Sequence, residues 1–154
     1  MVVGDRLYFY CSGRSGTDSN REAGGSTGLA TLRRDGFASL DAGVAEESLT
    51  TRPVTFTGKH LFVNLNAPKG ELRVELIDER GEPIPPFTRQ ACVSVASDST
   101  KQAVIWMSSN DLSPLAGRPV RFRFTLRNGR LYAFWVSPDT TGTSGGYMAA
   151  GGPA

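Results

Sequence analysis

Between residues 118 and 136 the chain reads "RPVRFRFTLRNGRLYAFWV", and these residue types suit the recognition of a sugar. Flat rings such as Tyr132 and Phe134 can stack on the apolar face of a pyranose or furanose, while guanidiniums such as Arg121 and Arg123 donate hydrogen bonds to its oxygens. Asn128-Gly129 predicts a type I′ hairpin, because that turn needs positive φ at both central residues. A hairpin closed there pairs Phe122 with Trp135 and Phe124 with Ala133 on a core face. On its other face it pairs Arg121 with Val136, Arg123 with Phe134 and Thr125 with Tyr132. That second face is either a sugar platform or a seam, covered by another strand, in which the arginines pair with a neighbour's carboxylates. The stretch "ELRVELID" (71–78) supplies such a neighbour, with Leu72, Val74 and Leu76 pointing inward and Glu71, Arg73 and Glu75 outward. Trp106 is a further candidate for sugar contact, although its alternation with Val104 suits a core position.

Other chemistry finds less support. Glycoside hydrolysis needs two carboxylates about 5–10 Å apart across a cleft. Asp78, Glu79 and Glu82 cluster around a Gly-Pro turn, where acids serve to solvate a loop, and Asp35 and Asp41 flank "GFASL", where a turn and a strand end account for them. A small polysaccharide hydrolase using the acids of 71–82 or Asp111 is the enzymatic alternative. A serine or cysteine triad needs a histidine base, and His60, the single histidine, sits in an alternating strand beside Phe62 and Asn64. Zinc is short of ligands for the same reason, since Cys11 and Cys92 belong to no C-x-x-C pair. Both cysteines are expected as buried thiols, with a disulfide as the alternative. No cofactor is expected; calcium is the one ion that the oxygen-rich loops "SDST" (97–100) and "SNDLS" (109–113) would suit, and they carry few carboxylates. "GRSGTDSNREAGG" (13–25) contains neither a G-x-S-x-G elbow nor a phosphate-binding loop.

The elements that must position these residues are strands. A chain of 154 residues, 39% hydrophobic and 21% charged, can bury a core. Its net charge of +2, from 17 basic and 15 acidic residues, argues against nucleic acid and anionic membrane as partners. With 18 glycines and 9 prolines, and apolar residues at period two, the punctuation is β-like. Strands are expected over 6–11, 27–34, 37–42, 49–56, 60–66, 71–78, 91–96, 102–107, 119–127 and 130–136. The segments 41–49 and 108–117 allow a helical turn or two at most, and Pro114 and Gly117 stop the second early. The fold class is therefore all-β, an antiparallel two-sheet sandwich of jelly-roll type. Residues 12–26 read as a mobile loop and 137–154 as a flexible tail or linker. The division expected is 1–48 as accessory strands with that loop, 49–136 as the sandwich, and 137–154 as the tail. No apolar run reaches the roughly 20 residues of a membrane span, and "MVVGDRLYFYCSG" does not read as a signal peptide. The chain is expected to be soluble as given; for an exported parent, the signal would lie outside it.

Longer phrases resemble a known architecture. "TGLATLRRDGFASLDAG" followed by "LTTRPVTFTGKHLFVNLNAPKGELRVELIDERGEPIPPF", and then "LSPLAGRPVRFRFTLRNGRLYAFWV", are similar to the end of five-bladed β-propeller glycosidases of the invertase, levanase and arabinanase kind, in which a β-sandwich follows the propeller. The resemblance implies that "LYFYCSGRSG" is an outer strand of the last blade, that "GLATLRRDGFASL" is the final propeller strand and crossover, and that Leu49 to Val136 form the sandwich. It also implies that the catalytic carboxylates belong to blades preceding Met1, so no catalytic residue is carried over to this chain. The function expected is a non-catalytic ancillary β-sandwich of a carbohydrate-active protein that binds polysaccharide or oligosaccharide weakly. Arg121, Arg123, Tyr132, Phe134 and Trp106 are its candidate contacts. A structural oligomerisation domain, with the outer hairpin face as the interface of a homodimer, is the other alternative. Residues 5–11 and 27–42 are expected to pair with the sandwich or with a second copy, since unpaired strand edges invite association.

Overall fold

The computed structural model describes residues 1–14 and 24–144. Residues 15–23, inside the expected mobile loop, and 145–154, inside the expected tail, lie outside the described residues. The chain divides into two compact units, Met1–Phe37 and the part from Ala38 onward.

The first unit is a three-stranded antiparallel sheet of β1 (Val2–Val3), β2 (Arg6–Arg14) and β3 (Gly25–Arg33), in the order β1-β2-β3. Gly4, at φ 56°, turns β1 into β2 in a conformation that glycine adopts without steric cost. The pairs Leu7–Leu32 and Phe9–Ala30 share one face, and Tyr8–Thr31 and Tyr10–Leu29 the other. Phe37 packs edge-on against Phe9 at a ring separation of 6.3 Å. Among the described residues of the unit no second layer covers either face, and Cys11 is exposed, a correction to its expected burial. Residues 6–11 and 27–33 pair with each other.

The second unit is the sandwich. Its strands are β4 (Leu40–Ala42), β5 (Glu47–Thr50), β6 (His60–Asn66), β7 (Glu71–Ile77), β8 (Asp98–Ala103), β9 (Arg121–Arg127) and β10 (Gly129–Ser137). They form a four-stranded sheet, β4-β10-β6-β8, and a three-stranded sheet, β5-β9-β7, with every pairing antiparallel. Alternation sends Leu61, Val63 and Leu65 of β6, Leu72, Val74 and Leu76 of β7, and Phe122 and Phe124 of β9 into one shared core. The all-β antiparallel sandwich read from the sequence is the fold observed.

Several local expectations are corrected: residues 12–14 and 25–26 of the expected mobile loop belong to β2 and β3, and 98–100 of the loop expected to suit calcium belong to β8. The segment 91–96 forms no strand and contributes single bridges instead, Cys92 to Trp106 and Val95 to Leu72. The larger correction concerns Asn128-Gly129. β9 and β10 belong to different sheets, so the chain turns a corner across the sandwich and no hairpin forms. Asn128 takes a positive φ of 46°, and its N–H donates to the Gly43 carbonyl at 2.7 Å, but Gly129 is not in the left-handed region. Glycine is needed at 129 for space: a Cβ there would lie 2.5 Å from the Cβ of Ala67.

Candidate functional site

The arginines and the aromatic rings expected to share a face are separated by this corner. β9 pairs with β7 in a register that places Arg127 opposite Glu71, Thr125 opposite Arg73, Arg123 opposite Glu75 and Arg121 opposite Ile77. Period two then gathers all these residues on the outer face of the three-stranded sheet. Arg123 donates from Nη1 to Glu75 Oε1 at 2.9 Å, and Arg73 donates from Nε to Glu71 Oε1 at 2.6 Å. Arg127 reaches the second oxygen of Glu71 at 3.4 Å. Glu75 also accepts from the backbone N–H of Arg89 at 3.4 Å. The hydrogen bond from Arg73 holds the Glu71 carboxyl below the usual carboxylate range, against a smaller opposing push from burial. The seam in which arginines pair with the carboxylates of 71–75 is what β7 and β9 build.

Arg121 stands apart in that row. Its cross-strand partner Ile77 offers no charge. Its Nε is buried with no hydrogen-bond partner, and no carboxylate among the described residues pairs with it.

The aromatic candidates belong to the rest of the fold. Trp106 is 1% exposed, meets Phe87 edge-on at 5.3 Å and donates from Nε1 to the Val74 carbonyl at 3.1 Å. It is a core residue whose polar tip is satisfied. Phe134 also turns inward, 4.9 Å from the ring of Phe124 and 5.4 Å from that of Phe122. The cause is a β-bulge. Pairing of β10 with β6 runs Leu131 to Leu65 and then Ala133 to Asn64, so Tyr132 is the extra residue and every later side chain changes face. Phe134 and Val136 therefore pack on the core, and Trp135, expected inside, faces outward and stacks on Phe62 at 5.8 Å. Trp135 Nε1 donates to the Gly142 carbonyl at 3.1 Å, so the chain after β10 returns over this pair.

Tyr132 remains at the surface. It lines a groove of about 390 Å³ with Leu40, Leu49, Leu131 and Phe134, at the open side of the sandwich where β4 and β5 are the edge strands. A second groove of about 270 Å³ shares Leu40, Leu49 and Leu131 and continues past Asp41 and Glu47 toward Phe124 and Leu126. Asp41 at its rim is held by Arg130 at 3.3 Å and by the Ser39 hydroxyl at 2.6 Å. Leu40 and Leu49 were not among the candidates, because nothing in a short apolar stretch marks it as the lip of an opening.

The other chemical candidates are tied to local structure. Asp78 Oδ1 accepts from the N–H groups of Arg80 and Glu82, both at 2.9 Å, and so closes its own turn. Asp111 accepts from the hydroxyl and N–H of Ser113, which lower its pKa, and Asp139 is lowered in the same way by Thr141. His60 Nδ1 lies 3.1 Å from the Asn110 carbonyl. Cys92 is a buried thiol that accepts from the Val74 N–H at 3.2 Å, and burial pushes its pKa up. Among the described residues, no three His, Cys, Asp or Glu side chains converge as a metal site. No helix among them is long and apolar enough to cross a membrane. Comparison with protein-family models, with curated proteins and with solved structures finds no match.

Proposed function

We propose that this chain is a non-catalytic ancillary β-sandwich of a carbohydrate-active protein, with weak polysaccharide binding at the Tyr132 groove. The observation that carries the non-catalytic reading is the state of the carboxylates a hydrolase would need. Glu71 serves Arg73 and Arg127, Glu75 serves Arg123, and Asp78 caps its turn. Glu75 is also only 7% exposed, which leaves it no access to a glycosidic bond. The carbohydrate reading rests on the resemblance to propeller glycosidases and on Tyr132, an aromatic ring beside an apolar groove that a sugar face can enter. The sheet of Met1–Phe37, with Phe9, Tyr10 and Leu29 exposed, suits a place beside further strands of such a protein.

Affinity electrophoresis in gels containing neutral polysaccharides tests this. The chain is expected to be retarded on at least one, and Tyr132→Ala to migrate as it does in a glycan-free gel. Unchanged mobility of the wild type across the panel overturns the binding claim.

A second reading, structural oligomerisation, has a different surface in its favour. Phe134 is partly buried against Phe122 and Phe124, whereas Val93, Ile105 and Met107 are exposed on neighbouring backbone, with the Val93 N–H donating to the Ile105 carbonyl at 2.8 Å. Met107 is 74% exposed, and such apolar patches mark association surfaces. Light scattering separates the readings. A dimer that Met107→Asp dissociates supports this one, and a monomer at every concentration removes it.

A further inference from the structure

We propose that the outer face of β9 recognises carboxylates, with Arg121 taking a uronate of an acidic polysaccharide; this rests on the carbohydrate reading above and adds a second, acidic sugar class at a separate place. The inference starts from a mismatch in the β7–β9 row. Each arginine near the middle of that row has an acid within reach: Arg123 has Glu75, and Arg73 and Arg127 share Glu71. At the next cross-strand position the pattern calls for another acid opposite Arg121, and Ile77 stands there.

The outward faces of β7 and β9 thus carry Arg73, Arg121, Arg123 and Arg127 against Glu71 and Glu75 alone. An arginine stays charged at all accessible pH, so the imbalance is permanent. Arg121 is half-buried and its Nε is enclosed with no acceptor, so an anion must meet the guanidinium through its two terminal nitrogens. Shielding on one side also lowers the local dielectric, which strengthens an ion pair formed on the open side. A carboxylate meeting the guanidinium fork can accept two parallel hydrogen bonds, a geometry that lysine does not reproduce.

The outward positions of β7 and β9 carry no aromatic ring. Stacking on neutral sugars therefore has no surface there, whereas charge-assisted hydrogen bonding does. The Tyr132 groove and the arginine face are distinct places on the sandwich, the first lined by β4 and β10 and the second by β7 and β9.

The test is affinity electrophoresis of the full chain in polygalacturonate and in its methyl-esterified form, which keeps the backbone and removes the charge. Retardation is expected in the acid form, is weakened by added salt, and is absent or much smaller in the ester. Arg121→Gln should weaken binding by about tenfold or more. Arg121→Lys should recover only part of that loss. Arg127→Gln removes the same net charge from an arginine that already has a partner and should cost much less. Thermal melts of each variant verify that it is folded, and Arg121→Lys reports on the fork if Arg121→Gln does not fold. Equal loss in Arg121→Gln and Arg127→Gln would reduce the effect to net charge and overturn the proposal. So would equal retardation in acid and ester. If neutral polysaccharides still retard the chain through Tyr132 while polygalacturonate does not, this inference fails and the carbohydrate reading stands. No retardation in any gel removes both.

Discussion

Arg123 donates from Nη1 to Glu75 Oε1 at 2.9 Å across the β9–β7 pair, and the glutamate side of this bond is only 7% exposed as a residue. The glutamate is therefore committed: removing the arginine strands a nearly buried charge, while removing the glutamate frees an arginine that can turn to water. A fully buried pair broken on one side costs about 3–5 kcal/mol. Here the exposure of Arg123 reduces that, and Arg123→Ala is expected to cost about 2 kcal/mol in urea denaturation. Arg127→Ala, at the exposed 3.4 Å contact to Glu71, should stay within about 0.5 kcal/mol of wild type. Equal costs for the two would mean that burial of the Glu75 pair has no energetic weight.

Glu71 gives the fold an acid limb. Its folded-state pKa lies below the ordinary value of 4.5, chiefly because Arg73 donates to it. Below that value the unfolded chain takes up the proton more readily than the folded one, so stability rises with pH through this range. The contribution is complete above pH 4.5 and is lost as pH falls through the depressed folded value. Glu71→Gln should flatten the fall of the urea midpoint in acid. A shallower limb persists from Asp111 and Asp139, whose pKa values are also lowered. A variant curve parallel to wild type below pH 4.5 would remove Glu71 from this account.

Gly129 is glycine for want of room, which separates a corner from a hairpin. With a new Cβ 2.5 Å from that of Ala67, Gly129→Ala is expected to cost about 1–3 kcal/mol through overpacking. If the clash is the cause, Ala67→Gly introduced into the same chain should recover part of the loss, a coupling that a double-mutant cycle measures. Additive costs would point to backbone conformation at 129.

These residues also show where the sequence is legible. β6, β7 and β9 could be placed because unbroken alternation fixes both the element and its faces, and the outward Glu71, Arg73 and Glu75 follow from the same period. β10 could be placed as a strand, but its faces could not. The bulge at Tyr132 adds a residue without any mark in composition, and Phe134 and Trp135 exchange sides downstream of it. Asn128-Gly129 is a strong local signal for a hairpin, but the contact that decides it, with Ala67, is remote in sequence. The charge shortfall at Arg121 depends on which residue stands opposite it, and only the register supplies that.

The two cysteines are expected to differ sharply in reactivity. Cys11 is exposed on β2, while Cys92 lies in the core with its pKa raised by burial, and the thiolate is the reactive form. A disulfide-exchange reagent should label a single thiol quickly in the folded chain and the second only at the rate of unfolding. Cys11→Ser should abolish the fast phase. Two fast phases would place Cys92 within reach of solvent.

The segment after β10 acts as a cover over the Trp135–Phe62 stack, and Gly142 lies against both rings. Its φ is 76°, and a Cβ there would fall 2.8 Å from Phe62 Cε1 and 2.7 Å from Lys101 Cδ. Lysine can swing away, but the ring cannot, because Phe62 is held by the stack with Trp135. Gly142→Ala therefore combines backbone strain with a clash and should cost about 1–2 kcal/mol. Relief of the clash requires the cover to lift, which breaks the bond from Trp135 Nε1 to the Gly142 carbonyl and exposes the indole. Trp106, in the core, is untouched by this movement, so the emission of Gly142→Ala should shift to the red by an amount that Trp135→Phe in the same background removes. A stable variant with unshifted emission would show that residues 138–144 do not hold Trp135 in place.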